Sequence, residues 1–97
     1  MTSDAEILQR YLNADGSLRQ MPAKRAPRLV VLKHIARRIP VDQDLSEAAI
    51  NDALRPVSPD VAMLRRYMVD EGLLHRWPPG IYRRPAGQPA DARSTTP

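Results

Sequence analysis

Ten prolines in a chain of 97 residues decide what it can fold into. Proline has no backbone N–H, so it is excluded from helix interiors and from central strands. Pro22, Pro27, Pro40, Pro56, Pro59 and the pair Pro78-Pro79, with Gly16 and Gly72 as further stops, cut the chain into short segments. Only short helices and strands fit between these stops, and the length allows one small domain with a single core. Phe is absent and there are only one Trp and three Tyr, so aliphatic side chains must fill that core. Zero Cys excludes disulfides, thiolate metal sites and cysteine nucleophiles together. The first residues, Met1-Thr2-Ser3-Asp4-Ala5-Glu6, are acidic and carry no apolar run. No signal peptide is readable there, and no stretch reaches the ~18 apolar residues of a membrane span. A soluble, cytoplasmic protein is expected.

Ser3-Asp4-Ala5-Glu6 has the spacing of a capping box, and Ile7, Leu8, Tyr11 and Leu12 continue it as one apolar stripe. A helix over 3–13 is expected, stopped by Asp15-Gly16. Ser17 to Met21 alternates weakly, as a short extended segment would. The main helix is expected from Pro27 to Arg38, with an earlier turn from Ala23 as the alternative, and with Leu29, Leu32, Ile35, Ala36 and Ile39 on one face. A single extended step at 44–45 and a helix over 47–54, capped by Ser46, come next. Arg55-Pro56-Val57-Ser58-Pro59 is then a tight turn, with Ser58 expected as N-cap and Pro59 as first residue of a third helix. That helix turns Val61, Leu64 and Met68 inward and stops at Gly72. Residues 73–77 and 81–84, around Pro78-Pro79-Gly80, read as strand, turn, strand.

Helix, extended step, helix, tight turn, helix and hairpin is the element order of a winged helix-turn-helix. The expected fold is mostly α with a small β-hairpin, a winged helix-turn-helix preceded by an N-terminal helix. A single domain spans 1–84, and the polar, Pro-rich tail 85–97 is expected to be disordered.

Two stretches, Pro22-Ala23-Lys24-Arg25-Ala26-Pro27-Arg28-Leu29-Val30-Val31-Leu32 and the run from Asp60 to Arg76, resemble the signature blocks of an uncharacterised bacterial family. The resemblance covers about 15–84. It implies a winged-helix-like module, found alone or appended to an ArsR-type helix-turn-helix or an acetyltransferase domain, with a role in transcription regulation. The chain departs from the pattern at Pro27, where relatives carry a basic residue. It departs again at Val57-Ser58-Pro59, where they carry an aromatic residue and a second acid.

The charges separate along the chain. Fifteen Lys+Arg face eleven Asp+Glu, a net +4. Arg19 to Arg38 holds seven cations and no acid, whereas 42–60 holds five acids against Arg55 alone. An acid-free basic stretch fits nucleic acid or a solvated helix face. Lys24, Arg25 and Arg28, at the start of the main helix, are phosphate candidates, the alternative being pairing with the acidic 42–60 segment. Arg66, opposite the inner stripe of the third helix, is the base-reading candidate with Met63 beside it; the alternative is an i,i+4 pair with Asp70. Arg65, Arg76, Arg83 and Arg84 are further phosphate candidates. Trp77 and Tyr82 are expected to cap the core rather than stack on bases. His34 and His75 lack companion ligands, so neither a metal nor another cofactor is expected, and no acid pair or capping-free serine marks an enzyme.

Double-stranded DNA is thus the expected partner, with a homodimer or a partner regulator supplying a second contact. The rival is a winged-helix protein–protein module, because Ala62, Met63 and Val69 make the outer face of the third helix apolar for a DNA reader. Non-specific nucleic-acid binding through 19–38 alone is the third reading.

Overall fold

The computed structural model describes residues 3–86. Four helices and a three-stranded antiparallel sheet make a mixed α/β fold. In chain order these are α1 (Asp4–Tyr11), α2 (Arg25–Ala36), β1 (Leu45–Ser46), α3 (Glu47–Leu54), α4 (Val61–Asp70), β2 (His75–Trp77) and β3 (Ile81–Arg83). No helix among the described residues is long and apolar enough to cross a membrane. The tail expected to be disordered lies outside the described residues from position 87 onward.

The capping box opens α1: Ser3 Oγ accepts from the Glu6 N–H at 3.2 Å while Glu6 accepts from the Ser3 N–H at 3.4 Å. The helix is shorter than expected, because Leu12 is already extended and buried. Ser17 to Met21 forms no strand; Leu18 makes an isolated bridge to Leu12 and donates its N–H to the Val57 carbonyl at 2.7 Å.

Helix α2 starts two residues before the expected Pro27, which lies within its first turn. There a missing N–H costs nothing, because the first turn has no internal acceptor for it. It also ends earlier: Arg37, Arg38 and Ile39 donate to carbonyls three residues back, tightening the end into a turn that still buries Ile39. Val31, outside the expected stripe, is fully buried with Leu32, Ile35 and Ala36. Both α1 and α4 pack on α2, so α2 is covered over a wider arc than one amphipathic stripe implies.

Helix α3 has the expected bounds and cap, with Ser46 Oγ accepting from the Ala49 N–H at 3.1 Å. The start of α4 differs. Ser58 does not cap it; Asp60 does, accepting from the Met63 N–H at 3.1 Å. Ser58 Oγ instead accepts the Asp60 N–H at 3.1 Å, and Pro59 stays in the turn. Gly72, at φ 75°, ends the helix as expected.

The hairpin becomes a three-stranded sheet in the order β1-β3-β2. Leu45 pairs with Tyr82 and Ser46 with Ile81 on one side of β3, while Arg76 pairs with Tyr82 and Trp77 with Ile81 on the other. Side chains alternate across a sheet, so Leu45, Tyr82 and Arg76 share the face toward the helices. Ser46, Ile81, Trp77, His75 and Arg83 share the outward face. Tyr82 is buried at 2% exposure, as expected of a core-capping aromatic. Trp77 is not: its register with Ile81 turns it outward, and it is 46% exposed. The core beneath the sheet joins Leu32, Ile35 and Ile39 to Ile50, Leu54, Leu64, Met68 and Leu74.

Candidate nucleic-acid interface

The cations singled out from the sequence divide by what they touch. Arg65, on α4, is 17% exposed and lies 2.8 Å from Glu47 Oε1 at the start of α3. It also donates to the Tyr82 hydroxyl at 3.3 Å, and that hydroxyl donates to Glu47 Oε1 at 3.0 Å. This triangle ties α3, α4 and β3 together. Burial, and the hydrogen bond it donates to Glu47, push the Tyr82 phenol above its usual 10.0.

A raised folded-state value means that stability from Tyr82 is present below pH ~10 and is lost as pH rises through the folded value. Urea midpoints for wild type and Tyr82→Phe should therefore converge between pH ~9 and ~11, with wild type falling further. A constant gap would show that the phenol ionises as freely in the folded chain as in the unfolded one.

Arg25, at the start of α2, makes a forked pair with Glu71 after α4, at 3.1 and 2.7 Å. The hydrogen bonds to Glu71, reinforced by its charge, raise the Arg25 guanidinium above its usual value. Arg28 donates to the Ala23 carbonyl at 2.9 Å and lies 5.0 Å from the Tyr67 ring centre, over its face. Arg83 holds Asp44 at 2.7 Å, and Arg84 donates to the Ile39 carbonyl at 2.8 Å. The acidic 42–60 segment thus takes Arg65 and Arg83, and none of Lys24, Arg25 and Arg28.

Lys24, Arg66 and Arg76 are exposed and have no ion-pair partner among the described residues. The i,i+4 pair of Arg66 with Asp70 is not formed. Arg66 and Arg76 line one groove of about 420 Å³ between α4 and β2, together with Ala62, Val69 and the Arg65–Glu47–Tyr82 triangle. Asp70 lines it as well. Arg66 and Asp70 also border a second groove, with Met63 and Tyr67, so an arginine and an acid one turn apart form the ridge between the two. Met63 and Val69 are partly buried against the core, which leaves the outer face of α4 less apolar than its sequence.

Lys24 is not brought to this groove. It lines a separate one with Arg10, Tyr11 and Ile7, between α1 and α2. Arg10 escaped the sequence reading because it precedes the acid-free block and sits among the acids of α1. Glu47, Asp44 and Tyr67, which hold Arg65, Arg83 and Arg28, were equally invisible, since only folding brings them near.

A small α/β domain with a mixed-charge groove between its last helix and its hairpin, carrying three arginines and two acids, is what this arrangement defines. The chain belongs to the bacterial family described as "Uncharacterized protein conserved in bacteria (DUF2087)", which matches residues 17–84 and so leaves α1 outside. No curated protein and no solved structure matches the chain.

Proposed function

We propose that this protein binds double-stranded DNA as a winged-helix transcriptional regulator. In this reading α4 enters the major groove, Arg66 contacts a base edge and the β2–β3 hairpin is the wing. The observation that carries it is the groove in which Arg66 and Arg76, both exposed and without an ion-pair partner among the described residues, face a common space. The order α2, β1, α3, α4, β2, β3, with β1 joined to the hairpin, is consistent with a winged helix-turn-helix. Partial burial of Met63 and Val69 weighs against the rival assembly module, because it removes apolar surface that such a module would use.

Of the seven phosphate candidates, Arg25, Arg28, Arg65, Arg83 and Arg84 have partners within the fold. Lys24 and Arg76 remain, with Arg66 between backbone and base. Each phosphate neutralised contributes about −0.9 to the log–log salt slope, so random duplex should bind with a slope of roughly −2 to −3. Arg76→Ala should make the slope shallower by about one. A protein that leaves random duplex unbound at ~50 mM salt does not have this function. A domain this small covers few base pairs, so useful affinity calls for a second copy or a partner regulator. Light scattering on the same samples reads that stoichiometry.

A further inference from the structure

Trp77 is the only tryptophan of the chain, and the fold places it outside. At 46% exposure it is the most open of the large apolar side chains among the described residues, and Ile81 beside it is 36% exposed. Two polar groups also flank the indole. The His75 ring lies 5.9 Å away, and the Arg83 guanidinium lies 6.0 Å from the indole centre. Arg83 is in turn held by Asp44 at 2.7 Å.

The geometry points to the outward face of the sheet as a stacking site for an unpaired base of single-stranded DNA, with Trp77 as the platform. An exposed indole suits an unpaired base, since every base offers a π-face, and the Arg83 guanidinium, though held by Asp44, flanks the ring as a polar neighbour. Trp77 and Ile81 alone fall well short of the ~800 Å² per partner of a standard protein interface, and the polar rim of His75, Arg83 and Asp44 offers an apolar partner little. Arg76 precedes Trp77 on β2 and points to the opposite face of the strand, into the groove that faces α4. One edge strand therefore serves both surfaces: duplex on the α4 side and a displaced or frayed base on the outer side. The inference rests on the DNA reading of the groove and adds to it a preference for duplex next to an unpaired strand.

Because Trp77 is the sole indole, its emission reports this face directly. Titration of the full chain with a short oligodeoxythymidylate should quench it to saturation, and less so as salt rises. Trp77→Ala should weaken binding of the labelled oligonucleotide about tenfold by anisotropy, while Trp77→Phe keeps most of it. Trp77 is exposed, so both variants should melt as wild type does. The site is rejected if emission stays unchanged while the oligonucleotide binds, or if Trp77→Ala binds it as tightly as wild type. It is rejected too if emission shifts with protein concentration alone, which would mean that a second copy covers the indole. Random duplex run on the same samples separates the two failures. Retained duplex binding with a silent indole removes the stacking site only, whereas absent duplex binding removes the groove reading.

Discussion

Leu64→Ala should destabilise the protein by about 3 kcal/mol, within the 2–5 kcal/mol typical of a buried Leu→Ala change. Leu64 is fully buried in the middle of α4, and with Met68 it seats that helix on the core. At 4–8 °C per kcal/mol for a domain of this size, the melting temperature should fall by roughly 12–24 °C. Circular dichroism at 222 nm reads it. The competing expectation is that α4 is held by its charged ends, through the Arg65–Glu47 and Arg25–Glu71 pairs. In that case Leu64→Ala would cost less than ~1 kcal/mol, and Glu47→Ala would be the more damaging change. The ion pairs are exposed on at least one side, and pairs of that kind contribute little; the apolar seat should therefore dominate.

Arg66→Ala should cost about 1–3 kcal/mol on a selected DNA site and much less on random duplex. Nothing in the fold depends on Arg66, which has no partner among the described residues, so its loss reads out binding alone. Arg76→Ala should instead weaken both DNAs about equally, because phosphates carry no sequence. Equal losses for Arg66→Ala on both DNAs, with dimerisation unchanged, would make Arg66 a phosphate contact. A shift in the monomer–dimer balance would assign its face to a second chain.

Local chemistry made some elements legible from sequence. Ser3 with Glu6, and Ser46 before Glu47, carry their caps within four residues, so α1 and α3 begin where side-chain chemistry requires. The start of α4 was misread because Ser58, Pro59 and Asp60 all favour a helix N-terminus. The choice among them falls to the turn, whose Val57 is buried and bonded to Leu18. Strand β1 is only two residues long, too short for its alternation to stand out; its membership in the sheet exists only through β3. The basic residues were legible as charges and not as ligands. Arg25 meets Glu71 across 46 positions, and Arg83 meets Asp44 across 39, distances at which sequence spacing says nothing. The exposure of Trp77 depends in the same way on its register with Ile81.

The Arg25–Glu71 fork joins two helix ends with unusual polarity. Arg25 opens α2, where the aligned peptide dipoles leave a partial positive charge, and Glu71 closes α4, where they leave a partial negative one. Each residue sits at the pole of its own sign and would weaken its helix if it stood alone. Set against one another at 2.7 Å, each screens the other's helix from the mismatch. Exchanging the two residues would suit both dipoles and still leave a pair, but it would put a carboxylate beside Lys24. The first turn of α2 has no acid as it stands. The chain thus keeps the first turn of α2 free of acids at the expense of local helix preference, and leaves the exposed Lys24 with no carboxylate beside it in that turn.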